Sequence, residues 1–244
     1  MAKKMYVGVS DIARNITKAY VGINNVARKI IKGYVGVNGV AQQFYEESTP
    51  VPTGYTFVEY IQSTGTQYIN TGVTPNYGYG SNTNYEIELS NDDPSVSKYL
   101  FGSRVAYQNA WLVVNYTTES GNTGYSIGFE TSRWQSNLTG SGKHKIKLTN
   151  GDCNIDNTYS YTFVKNSFSS NLPLYLFAGN NNGSVFQPAF MKLYSCKLYR
   201  NNSLIHDFKP AIRNSDSEVG LYDSVTDTFY TNSGTGTFIA GNPI

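Results

Sequence analysis

Tyr85-Glu86-Ile87-Glu88-Leu89 alternates apolar and acidic side chains without a break. On an extended backbone successive side chains point to opposite faces, so this stretch predicts a half-buried strand. The same style spreads outward in both directions. Apolar runs predict strands over 56–61, 67–73, 83–90, 98–105, 110–117, 124–130, 144–149, 159–164, 173–178, 190–199, 203–209, 219–223, 228–231 and 237–240. Asn150-Gly151, Asp156-Asn157 and Asn201-Asn202 fall between runs. They read as hairpin turns, because these residues tolerate the positive φ that tight turns require. No helical period extends beyond about one turn. So many short strands in the 190 residues of 55–244 predict a two-sheet antiparallel sandwich, with a closed barrel as the alternative.

Composition agrees. The chain has 21 tyrosines, only 15% charged residues, and heavy use of Asn, Ser, Thr and Gly. Aromatic and β-branched residues suit pleated surfaces, and the small polar residues suit turns. That aromatic content excludes a disordered chain.

The opening segment carries an internal repeat. Tyr6-Val7-Gly8-Val9-Ser10-Asp11-Ile12-Ala13-Arg14 matches Tyr20-Val21-Gly22-Ile23-Asn24-Asn25-Val26-Ala27-Arg28 and Tyr34-Val35-Gly36-Val37-Asn38-Gly39-Val40-Ala41-Gln42, at a period of 14 residues. Ser10-Asp11, Asn24-Asn25 and Asn38-Gly39 sit at the same place in each copy and predict hairpin turns. A hairpin module this small buries too little surface to stand alone. Gly8, Gly22 and Gly36 fall mid-strand, where glycine marks close approach of another backbone. Residues 1–47 are therefore expected to attach and oligomerise the chain, with Tyr6, Gly8, Tyr20, Gly22, Tyr34 and Gly36 as the assembly positions. Folding of the hairpins onto the chain's own sandwich is the alternative. Residues 48–54, with Pro50 and Pro52, read as a short stiff linker, and 55–244 as the sandwich.

Charge is uneven. Residues 1–46 hold seven basic and two acidic side chains, a net of +5, whereas the whole chain carries +2. A basic arm can meet an acidic partner, yet lysines also blunt open strand edges. The overall balance points away from nucleic acid. No secretory leader and no apolar stretch long enough to span a bilayer is visible, so membrane insertion is not expected. Cys153 and Cys196 make no disulfide framework, and Cys196 lies in an apolar run that predicts a core position. A chain made in a reducing cytoplasm but built for exposure fits a particle assembled inside a cell and released from it.

Two stretches of the body resemble laminin-G/concanavalin A-like sandwiches of phages and gut bacteria. They are the opening Phe57-Val58-Glu59-Tyr60-Ile61-Gln62-Ser63-Thr64-Gly65-Thr66-Gln67-Tyr68-Ile69-Asn70-Thr71-Gly72 and the closing Val219-Gly220-Leu221-Tyr222-Asp223 with Phe229-Tyr230-Thr231-Asn232-Ser233-Gly234-Thr235-Gly236-Thr237-Phe238. The N-terminal repeat is similar to repeats in prophage tail and other virion proteins. The resemblance implies a jelly-roll sandwich, a virion location and, by likeness to fibre proteins, a trimer. It names no ligand, because one fold hosts many functions.

Candidate sites follow from chemistry. Glycanases of this shape carry Glu-x-Asp-x-x-Glu on one strand, and Glu86-Ile87-Glu88 lacks that pattern. Both glutamates are expected on the solvated face, and neither His144 nor His206 has a partner at metal-binding spacing. No catalytic residue is assigned. Asp92 and Asp93, after Asn91, form the densest run of hard oxygen ligands and are the candidate calcium site; no other cofactor is implied. Sugars are held by aromatic faces with amide and carboxylate groups. Trp134 with Arg133 in a polar stretch, and Tyr107, Trp111 and Tyr116 near Asn- and Ser-rich segments, are the glycan candidates, Trp111 reading also as core. Protein recognition is the competing use of such surfaces. The expectation is a non-enzymatic phage virion structural protein, on the tail or as a capsid decoration. Its partners would be itself and other virion proteins through residues 1–47, with host-surface glycan at the sandwich. A bacterial carbohydrate-binding module and a glycoside hydrolase are the alternatives.

Overall fold

The computed structural model describes residues 5–9, 12–16, 19–23, 26–30, 32–37, 40–46, 52–93, 97–105, 110–117, 123–136, 138 and 142–244. Every described element is a strand, so no helix is long and apolar enough to cross a membrane. The chain divides into two compact units, Met1–Pro52 and Thr53–Ile244.

The first unit holds three antiparallel pairs: Met5–Val9 with Ile12–Ile16, Ala19–Ile23 with Val26–Ile30, and Lys32–Val37 with Val40–Glu46. Register repeats with the sequence. Tyr6, Tyr20 and Tyr34 face Asn15, Lys29 and Gln43, while Gly8, Gly22 and Gly36 face Ala13, Ala27 and Ala41. The third pair departs at Gly33, where a register shift sets it opposite Tyr45. The dipeptides at 10–11, 24–25 and 38–39 lie outside the described residues, as does most of the 48–54 segment. Among the described residues the three pairs do not join one another into a wider sheet.

The second unit is built on two sheets. The larger runs in space as Tyr159–Thr162, Asp152–Ile155, Lys143–Thr149, Thr83–Asn91, Phe190–Arg200, Ser203–Arg213, Glu218–Asp223 and Thr228–Tyr230. Short strands Tyr55–Phe57, Ile61–Thr64 and Ile239–Ala240 add to it. The smaller runs as Ser132–Gln135, Thr123–Phe129, Ala110–Thr117, Lys98–Arg104, Tyr175–Leu176 and Ile69–Asn70. Its parallel ladder, between Lys98–Arg104 and Gly179–Asn181, is the exception to antiparallel pairing of the named strands.

Thr83–Asn91 sits in the middle of the larger sheet, between Lys143–Thr149 and Phe190–Arg200. Tyr85, Ile87 and Leu89 are buried and Glu86 and Glu88 half-exposed, as the alternation requires. Buried residues of both sheets form one cluster, with Ile87, Leu148, Leu193 and Phe208 from the larger and Phe101, Ile127, Phe129 and Leu176 from the smaller. Each such side chain contributes about 1.5–3 kcal/mol by leaving water. Cys196 and Cys153 are free thiols inside this cluster, and burial pushes Cys153 up to about 12 and Cys196 higher still. Both are inert packing residues.

The expected turns are present. Asn150-Gly151, Asp156-Asn157 and Asn201-Asn202 all have positive φ at both positions. The expected strand over 67–73 is reduced to Ile69–Asn70. At its far end Gly72 turns with a φ of 73°, and at its start stands Gln67, which is buried. Its Oε1 accepts from Thr64 N at 2.8 Å and Ser63 Oγ at 3.0 Å, while its Nε2 donates to Thr237 O at 3.1 Å. The amide thus stitches the opening segment to the closing one, and the backbone turns around it. Strands Ser132–Gln135 and Asp152–Ile155 were not legible as apolar runs.

A fully buried carboxylate ties the C-terminal strands together. Asp223 Oδ2 lies 2.7 Å from His206 Nδ1 and accepts from Thr226 Oγ1 at 2.6 Å. Its Oδ1 accepts from the backbone N–H groups of Asp207 at 2.8 Å and Val225 at 3.1 Å. Burial alone would raise its pKa, but these hydrogen bonds outweigh it and hold the group at about 2, against an ordinary 3.8. The native carboxylate therefore binds its proton more weakly than the unfolded chain does. The resulting stability, about 2 kcal/mol, is complete above the ordinary value and is lost as pH falls towards the native one. Asp223→Asn should remove stability of that order at neutral pH in urea unfolding and flatten the acid limb of the stability profile.

Candidate functional site

The outward face of the larger sheet carries a row of polar residues set side by side by strand register. Asn154 faces Lys147, Lys147 faces Glu86, Glu86 faces Lys197, and Lys197 faces Asp207. The inward neighbours of these residues are Ile146, Leu148, Ile87, Cys196, Leu198 and Phe208, all fully buried. The core thus fixes which side chains stand outside.

Two hollows open on this face, and Lys147 lines both. One, of ≈ 230 Å³, is lined by Glu86, Lys145, Lys147, Asn154, Asp156 and Asn157. The other, of ≈ 180 Å³, is lined by Asn84, Lys147, Thr149, Tyr199 and Asn202. Turns hold the amides in place. Asn84 Oδ1 accepts from Asn150 N at 2.8 Å, and its Nδ2 reaches Asn150 Oδ1 at 3.4 Å and Asn202 Oδ1 at 3.2 Å. Asn154 Oδ1 accepts from Asn157 N at 2.8 Å. Asp156 Oδ2 lies 2.6 Å from His144 Nδ1, and its Oδ1 accepts from Lys145 N at 2.8 Å. Burial raises the Tyr199 phenol, helped by the nearby Glu86 and Asp207 carboxylates, so it stands as a neutral donor.

The acids here are already engaged. Glu86 Oε1 is 2.7 Å from Lys145 Nζ, and Glu88 Oε1 is 3.0 Å from Lys143 Nζ. A carboxylate pair for glycoside cleavage needs one group protonated as acid and one free as base or nucleophile. Here each of the two carboxylates has a lysine partner instead. The arrangement offers amide and hydroxyl hydrogen bonds, a tyrosine ring and an ammonium: the chemistry of binding.

Of the residues singled out from sequence, Trp134 and Arg133 lie on another strand of the second unit. Trp134 was expected on a polar, ligand-facing stretch; it sits on strand Ser132–Gln135, half-buried and packed against the core. Its ring stacks on Tyr161, 5.6 Å between centroids and 4° between planes, and Tyr161 meets Phe163 edge-on at 5.0 Å. Tyr161 belongs to the edge strand of the other sheet, so the stack closes one open side of the two-sheet body. Arg133 is exposed beside it. Tyr107 lies outside the described residues. Trp111 and Tyr116 are on strand Ala110–Thr117, with their side chains outside the description. Tyr34, on its repeat strand, is 54% exposed.

Asp92, one of the two candidate calcium ligands, already has a cationic neighbour. Lys192 Nζ stands 3.9 Å from Asp92, and burial raises Asp92, only partly offset by Lys192 and the Ser90 hydroxyl. A cation cage does the reverse, gathering ionised oxygens with no competing ammonium. Among the described residues no three acidic, His or Cys side chains gather in a metal-sized group. Asp216 is gripped by Arg213 through contacts of 2.6 to 3.2 Å.

Compared with known proteins, the chain matches no family model, and no curated protein is significantly similar to it.

Proposed function

We propose that this chain is a non-catalytic structural protein of a bacteriophage particle, on its tail or capsid surface, that displays a glycan-adhesive β-sandwich. The observation that carries the adhesive part is the polar row on the larger sheet: fixed amides, a tyrosine and lysine-neutralised carboxylates, over a face whose back is core. The virion location rests on the likeness of the 14-residue repeat and of both ends of the body to such proteins. A concanavalin A-like jelly roll is the finer topology that belongs with this reading. Residues 1–47 form the anchor, and the body starts near Tyr55.

Three two-stranded ladders support the anchoring role. An isolated hairpin is marginal in water, and each leaves open edges that a neighbouring chain can complete. The repeated Gly–Ala facing pairs keep each ladder thin at one point, where another backbone can approach. The partners are other copies of the chain, as a trimer by likeness to fibre proteins, and further virion proteins. Several weak sugar sites on one particle then act together, so no single site needs high affinity.

Full-length protein should be oligomeric by light scattering at micromolar concentration; a monodisperse monomer with ordered hairpins would contradict the anchor. On a glycan array the full-length protein should bind at least one glycan. Tyr199→Ala should weaken that signal about tenfold, as expected for loss of a ring contact and a hydrogen bond. Retention of full signal by Tyr199→Ala would move the site off this face.

A further inference from the structure

Register places Lys147 and Lys197 on either side of Glu86, and Lys197 opposite Asp207. Yet both acids are drawn elsewhere. Glu86 pairs with Lys145 at 2.7 Å. Asp207 pairs with Lys209 at 3.4 Å and accepts from Ser224 Oγ at 2.9 Å. Lys147 and Lys197 are left in no ion pair among the described residues. Two strand spacings separate their backbones, about 10 Å, so their long side chains can converge on one group between them. Beside them stand the hydrogen-bonding groups of Asn84, Asn202, Thr149 and Tyr199.

We propose that this face binds an anionic sugar, one bearing a carboxylate or a phosphate, with the charge held by Lys147 and Lys197 and the hydroxyls by the Asn202, Thr149 and Tyr199 groups. The proposal rests on the glycan-binding reading above and narrows it. A neutral sugar would leave two lysines facing it without a counter-charge. The contact is partly exposed, so it is sensitive to salt. Lysine also serves here as a point charge, needing no fixed fork geometry.

The test uses full-length protein against three immobilised polymers: a polyuronate, a poly(glycerol phosphate) and a neutral glucan, read by biolayer interferometry. Binding to the polyuronate, the poly(glycerol phosphate) or both is expected, and which of them binds identifies the source of the charge. It should decline as ionic strength rises past about 0.15 M, where screening sets in within about 8 Å. Lys147→Gln should weaken it about tenfold, while Lys147→Arg retains it. Lys165→Gln removes the same charge from a lysine paired with Asp152 on this sheet, and should leave binding unchanged. Equal losses in Lys147→Gln and Lys165→Gln would overturn the site in favour of diffuse charge attraction. Binding to the glucan alone, unaffected by Lys147→Gln, would overturn the anionic assignment and leave the glycan reading standing. If no polymer binds although the array shows a neutral ligand, the anionic assignment falls; if the array is also blank, both fall.

Discussion

The alternation of Tyr85–Leu89 within the Thr83–Asn91 strand is the constraint on which the rest depends. It lies between the Lys143–Thr149 and Phe190–Arg200 strands and takes part in both faces of the larger sheet. Its odd-numbered side chains, Tyr85, Ile87 and Leu89, enter the shared core. Its even-numbered side chains, Asn84, Glu86 and Glu88, must then stand on the other face. A slip of one residue would exchange the two sets, burying carboxylates and exposing the core. The charged row is thus a consequence of packing. Neighbouring strands obey the same rule, which brings Lys147 and Lys197 to either side of Glu86.

Turns supply what the strands cannot. The hairpins at Asn150-Gly151 and Asn201-Asn202 place left-handed residues at one end of the face, where Asn84 links them by side-chain hydrogen bonds. Fixed amides lose little freedom when they meet a ligand, which favours binding by a shallow surface. The ends of the body are closed by the same kind of chemistry: Gln67 ties the opening segment to Thr237, and Asp223 binds the turn after its strand to Asp207. Both polar groups are buried and satisfied, as burial demands.

Much of this was legible in the sequence and some of it was not, for physical reasons. Period-two alternation and turn dipeptides are local signals, and they located the central strand and its hairpins. The strand expected over 67–73 is short because Gln67 bonds through its side-chain amide at its start and Gly72 takes a positive φ at its end. Trp134 has a partner that the sequence did not show, because Tyr161 comes from the other sheet and a polar neighbourhood in sequence became a stacked edge in space. The candidate site was invisible for the same reason. Asn84, Lys147, Tyr199 and Asn202 come from two strands of alternating pattern, a third strand and a turn, and only register brings them together. Ordinary surface lysines gave no signal until the acids opposite them were found paired elsewhere.

The most direct test of the account is hydrogen–deuterium exchange of the full-length protein with and without a polyuronate. Slower exchange at the turns Asp156–Asn157 and Asn201–Asn202, with no change at Ser132–Gln135, is the predicted result. Protection at Ser132–Gln135 and Tyr159–Thr162, with those turns unaffected, would contradict it.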